Sequence, residues 1–78
     1  MRIEINYYAW LREKIGEKEL LEVEDGATLK KVVEKLVEKH ECLRSESFLI
    51  AVNGRLVNPC TPLKEGDAVS LFPPAGGG

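Results

Sequence analysis

The sequence predicts an α+β domain in which one main helix covers one face of a mixed sheet of about five strands. Three observations carry that prediction. Segments that alternate polar and apolar residues stand near both ends of the chain, at 2–8 and 68–72. Between them, a single stretch at 29–37 spaces its apolar residues at helical period. The 78 residues, 44% of them hydrophobic, suffice for one compact core and for one domain.

In the first segment Ile3, Ile5 and Tyr7 share one face and Glu4, Asn6 and Tyr8 the other, the pattern of a half-buried strand. Ala9, Trp10, Leu11, Arg12, Glu13 and Lys14 favour a short helical turn, which Gly16 would end. "KELLEVE" puts Leu21 and Val23 on one face of a second strand, and "EDG" signals a turn. Thr28 offers a capping hydroxyl to the main helix. Leu29, Val32, Val33, Leu36 and Val37 then form one apolar stripe. Lys30–Glu34 and Lys35–Glu38 are expected to pair on its solvent side, and the helix to fade near His40–Cys42.

"SFLIAVNG" sets Phe48, Ile50 and Val52 on one side and Leu49 and Ala51 on the other. A strand apolar on both faces is expected in the centre of its sheet. Asn53-Gly54 is a hairpin signal, so "RLV" should return as a brief strand. "PLKEGD" reads as a turn and "AVSLF" as the last strand, with Val69 and Leu71 opposed to Ser70 and Phe72. Pro73 and Pro74 cannot continue a ladder. The first two strands can form a hairpin, and the first and last can lie side by side in the middle. This is the β-grasp, or ubiquitin-like, arrangement.

Several function classes are not supported. With 13 acidic and 11 basic side chains the net charge is −2, and no basic stripe points to nucleic acid. No apolar run approaches the ~20 residues of a membrane helix. "MRIEINYYAW" lacks the apolar core of a signal peptide, so the expected location is the cytoplasm. Gln is absent and Glu and Lys dominate the charged set, a bias found in proteins from hot environments. Cys42 and Cys60 form no metal-binding pattern; two reduced thiols and a bridge both remain open. His40 has no matched acid or nucleophile and reads as a helix C-terminal residue. Tyr7 and Trp10 read as packing residues, and Arg12 and Arg55 as solvated charge.

Four segments together resemble the β-grasp sulfur-carrier family (MoaD/ThiS-like), nearest the small subunits of molybdopterin synthase. "YYAWLREKIG" resembles its aromatic-Ala-x-Leu-Arg-Glu segment, "AVNGRLV" its Val-Asn hairpin, and "PLKEGDAVSLFPP" the stretch before its tail. Gly77-Gly78 matches its terminal Gly-Gly, and Gly76 stands where the family varies. The resemblance implies that 1–78 is one carrier domain with 73–78 as a mobile tail. It implies no resident cofactor and no active site of the chain's own. The Gly78 carboxylate would be adenylated by an E1-like activating enzyme that uses ATP, then converted to a thiocarboxylate by a sulfur donor protein. The tail would next enter the large subunit of molybdopterin synthase, in a heterotetramer, and give sulfur to a cyclic pyranopterin phosphate. The same tail also fits a ubiquitin-like modifier that forms isopeptide conjugates, or a carrier for tRNA thiolation or thiamine synthesis.

The composition of the tail suits that chemistry. Glycine lacks Cβ, so the backbone at Gly76, Gly77 and Gly78 can thread a narrow channel. Pro73 and Pro74 restrict the base of the arm, with Ala75 beyond them. Tyr8 and Phe72 point away from the core sets of their strands and are expected to be exposed apolar contacts for a partner. Leu56 is a third candidate by its match to an apolar position of the family's partner-binding surface.

Overall fold

The computed structural model describes residues 1–44 and 47–73. The N-terminal alternation becomes strand β1 (Arg2–Tyr7), whose Ile3, Ile5 and Tyr7 are fully buried. A single helical turn and a half, α1 (Trp10–Ile15), leads into β2 (Lys18–Glu22). β2 runs antiparallel to β1, with Leu21 opposite Ile3. The main helix α2 (Leu29–Lys39) begins at Thr28, whose Oγ1 accepts from the Lys31 N–H. A 3-10 turn (Glu41–Leu43) leads on toward β3 (Leu49–Val52), and the last strand, β4 (Ala68–Phe72), has the limits read from the sequence. β4 runs parallel to β1 and antiparallel to β3, so the sheet order is β2-β1-β4-β3. The strands nearest the two ends of the chain thus lie side by side in the middle of a β-grasp sheet.

The core forms where the helix stripe meets one face of that sheet. Leu29, Val32 and Leu36 join Ile3, Ile5, Tyr7, Leu21, Val69 and Leu71 in one buried cluster. Each such side chain contributes about 1.5–3 kcal/mol relative to exposure. Val33 and Val37 flank the stripe and are only half-buried.

Three expectations need correction. β3 is an edge strand and not a central one. Its second apolar face is not covered: Leu49 is 55% exposed. The run is apolar on both sides because one side faces the core and the other forms part of the outer surface of the sheet. Second, "RLV" forms no fifth strand among the described residues. Asn53 (φ 50°) and Gly54 (φ 81°) make the tight left-handed turn that the dipeptide favours, but only Arg55 bridges back, to Val52. The chain then leaves the sheet for the start of α2. There Thr61 O accepts from Leu29 N–H and Pro59 O from Lys30 N–H, satisfying helix donors that have no partner within the helix. Third, the expected surface ion pairs of α2 are not found among the described residues. Lys35 Nζ instead donates to the Glu22 carbonyl at 2.6 Å, and Lys39 Nζ to Glu19 Oε1 at 2.8 Å.

That last contact belongs to a cluster that the sequence did not reveal. Glu19 Oε2 also lies 2.8 Å from His40 Nε2 and accepts from the Tyr7 hydroxyl at 3.1 Å. His40 meets the Tyr7 ring edge-on. So His40 ends the helix, as expected, but its ring also clasps β2. Burial alone would raise the Glu19 pKa, yet the hydrogen bonds from Lys39 and His40 outweigh it and hold the carboxyl below its ordinary range. Burial, reinforced by the Glu19 charge, pushes the Tyr7 hydroxyl far up. Tyr7 is fully buried and Trp10 packs partly against the core, as packing residues should. Cys42 and Cys60 are free thiols.

Candidate functional site

The outer face of the sheet carries the candidate contacts. Along β1 and β4 that face shows Glu4, Asn6, Ala68 and Ser70, and it turns aromatic only at the end from which the tail departs. The parallel ladder continues one residue past β1, where the Tyr8 N–H donates to the Leu71 carbonyl at 3.2 Å. This bond sets Tyr8 beside Phe72. Their rings stack at 4.6 Å between centroids, 13° from parallel. Each is therefore half-buried rather than fully exposed, because each covers part of the other. A stacked pair of this kind contributes about 0.5–1.5 kcal/mol beyond area burial and holds both rings in one orientation.

Two further residues extend the patch. Ala9 takes φ 54°, an unfavourable value for a residue with Cβ, and turns the chain sharply from β1 into α1. Arg12 then lies over the Tyr8 ring, its guanidinium carbon 5.8 Å from the centroid, at the outer limit of a cation–π contact. It is more than a solvated charge. On the other side Leu49 is paired with Phe72 across the β3–β4 ladder. The sequence reading missed Leu49 as a site residue, although its alternation within "SFLIAV" placed it opposite the core set. Leu56 is 80% exposed, beyond the Asn53-Gly54 turn. It follows Arg55, which bridges Val52, whereas Leu49 pairs with Phe72 at the other end of β3. Leu56 is therefore apart from the stacked pair along that strand. Pro73 is half-buried directly after β4. Pro74, Ala75, Gly76, Gly77 and Gly78 lie outside the described residues.

The hairpin that supports β4 is braced from below. Asn53 Oδ1 accepts from the Ala68 N–H, and Asn53 Nδ2 donates to Asp67 Oδ1, both at 3.0 Å. The Asp67 carboxyl is held below its ordinary range by the Lys64 backbone N–H first and by Asn53 second. Among the described residues no group of three or more His, Cys, Asp or Glu is placed to hold a metal.

Comparison with known proteins places this geometry in context. The model of the ThiS family matches residues 5–78. The chain is 33% identical to small archaeal modifier protein 3 of Haloferax volcanii, with all of both chains covered. It is 34% identical to a molybdopterin synthase sulfur carrier subunit of Chlamydomonas reinhardtii, again over the whole of both. Among solved structures it resembles, at a TM-score of 0.74 and 30% identity with both chains fully covered, a chain in the complex of subunits 1 and 2 of the molybdopterin-converting factor of Helicobacter pylori. Fold, sequence match and relatives agree that the chain belongs to the ThiS family of β-grasp sulfur carriers.

Proposed function

We propose that the chain carries sulfur on its terminal carboxylate for molybdopterin synthesis, as the small subunit of a molybdopterin synthase. The observation that carries the reading is the juxtaposition of an oriented aromatic pair, Tyr8 and Phe72, with a Gly-Gly terminus that starts from the same strand. A carboxylate is a poor electrophile because its oxygen leaves badly. Attack of a Gly78 oxygen on ATP, with loss of pyrophosphate, gives an acyl-adenylate. A sulfur nucleophile then displaces AMP, the C–S bond forming as the C–O bond to AMP breaks. Hydrosulfide gives the thiocarboxylate directly, whereas a donor protein's persulfide gives an acyl disulfide whose S–S bond a thiol must cleave, leaving the donor in a disulfide. In this reading the acid, base and any metal for these steps come from the partners. The chain presents the reacting atom and a surface that the E1-like enzyme and then the large subunit can hold.

In this reading Tyr8, Phe72 and Leu56 contact the partners, and Pro73 to Gly77 thread the partner's entry channel. The similarity to a chain from a complex of converting-factor subunits 1 and 2 supports a large-subunit partner. Incubation with the activating enzyme, ATP and a sulfur source, followed by mass spectrometry, tests it. The expected result is replacement of one oxygen by one sulfur at Gly78, absent when Gly78 is deleted. No mass change with a demonstrably active enzyme rules against the carrier role.

The similarity to an archaeal modifier protein favours a second use of the same activated tail, as an isopeptide-forming modifier. Thiol-resistant, high-mass conjugates of a tagged chain that depend on Gly78 would support it.

A further inference from the structure

Leu20 is 61% exposed, stands on the outer face of β2, and has no part in the aromatic patch. Its neighbour across the β1–β2 ladder is Glu4, whose carboxylate accepts from Asn6, so polar groups separate it from Tyr8. β2 is also an edge of the sheet. The ladder shows which of its backbone groups are unused. The main chains of Met1 and Val23 bond each other in both directions, and the Tyr7 N–H donates to the Glu17 carbonyl. Antiparallel pairing alternates, so 19 and 21 turn their backbone groups to β1, while Lys18, Leu20 and Glu22 turn theirs outward. The position of Lys35 agrees, because its Nζ reaches the outward Glu22 carbonyl at 2.6 Å.

An outward row reading Lys, Leu, Glu at alternate positions is complementary to itself. When a second copy is laid antiparallel with Leu20 opposite Leu20, Lys18 of each chain falls opposite Glu22 of the other. The same register sets every outward N–H of the row against an outward C=O. We propose that the β2 edge is a self-association surface, on which a second copy of this chain pairs antiparallel about Leu20. Lysine at a sheet edge discourages pairing with arbitrary strands; here the pairing it does not oppose is the one that brings Glu22 to it. Lys35 does not block the ladder, because a carbonyl oxygen has two lone pairs and can accept both bonds. Arg2, opposite Glu22 on β1, is the nearest competitor for that carboxylate. The contact is one short strand per chain, which corresponds to a weak, transient dimer rather than an obligate one. The two-fold axis stands perpendicular to the sheet, so both Tyr8–Phe72 pairs face the same side and neither lies in the contact.

Sedimentation equilibrium of the full chain over a concentration series up to millimolar, with amide exchange followed by NMR, tests the proposal. The expected result is a mass that rises toward the dimer with concentration, together with protection of the Lys18, Leu20 and Glu22 amides. Lys18→Glu sets carboxylates against each other at both symmetric pairs and should weaken association about tenfold. The double variant K18E/E22K exchanges the charges and should restore it. Leu20→Lys, at an exposed position beside Glu4, should abolish it without loss of fold. A chain that stays monomeric throughout overturns the proposal. So does a dimer indifferent to L20K and K18E, which would place the contact elsewhere, for instance on the aromatic patch. Sulfur loading of Gly78 is read separately and does not enter either outcome.

Discussion

Replacement of Glu19 by glutamine removes a charge from the clasp between β2 and the end of α2 while keeping its shape. The carboxylate lies 2.8 Å from Lys39 Nζ and 2.8 Å from His40 Nε2, and accepts from Tyr7. Lys39 is half exposed, so its pair is screened and contributes at most about 0.5 kcal/mol. The His40 bond is better sheltered, with both side chains only about one-fifth exposed, and contributes roughly 1 kcal/mol after partial screening. The Tyr7 hydroxyl still finds an acceptor in the amide oxygen. Glu19→Gln should therefore cost about 1–2 kcal/mol near neutral pH, a fall of several degrees in Tm for a domain of this size. The pH dependence separates charge from packing. The folded carboxyl titrates below its ordinary value of 4.5, so the stabilisation is complete above that value and is lost as pH falls through the lowered folded one. Urea unfolding of both proteins should show a gap at neutral pH that closes in acid, where wild-type Glu19 is itself protonated. A gap as wide in acid as at neutrality, or none at neutrality, would refute the account.

Leu36 is fully buried at the centre of the helix stripe, and Leu36→Ala should cost about 2–5 kcal/mol by urea unfolding, enough to threaten so small a domain. Tyr7 keeps its proton when folded but releases it at an ordinary value of 10.0 when unfolded. Stability should be full below that value and fall as pH climbs past it, and Tyr7→Phe should remove this alkaline loss in a pH-resolved melt. Phe72→Ala breaks the stack with Tyr8 at a half-exposed position. It should cost about 1–3 kcal/mol of stability, the lost stack plus half of a full burial contribution, and weaken binding to the large synthase subunit at least tenfold by calorimetry.

What the sequence disclosed, and what it hid, follows from the range of the interactions. The alternations of Ile3-Ile5-Tyr7 and Val69-Leu71 and the period of Leu29-Val32-Leu36 are local patterns, and they gave β1, β4 and α2 nearly to the residue. The turn at Asn53-Gly54 was equally local. The position of β3 was not. Apolar residues on both faces mark a covered strand only when something covers both, and here Leu49 lies open beside Phe72. Nor does local pattern show that residues after Arg55 leave the sheet, since the groups that Pro59 and Thr61 meet there, the Leu29 and Lys30 N–H donors, lie far back in the chain. His40 looked isolated because its partner Glu19 is 21 positions away, on another element. The outward directions of Tyr8 and Phe72 could be read from alternation, but their stacking required the parallel register that joins the two ends of the chain.

That register bears directly on how the tail can be used. β4 is hydrogen-bonded on both sides, to β1 and to β3, and two of its side chains, Val69 and Leu71, are fully buried. A partner that draws on the terminus therefore draws on a strand held by two ladders and the core, and tension at the tail does not readily peel the strand away. Six residues follow Phe72. Fully extended, they span at most about 20 Å. A partner that grips the Tyr8–Phe72 pair is thus constrained to place its reaction centre within that radius. On the proposed carrier role, the stack and the length of the arm together define where a partner's site for Gly78 can be, and the absence of side chains at the three glycines allows that site to be narrow.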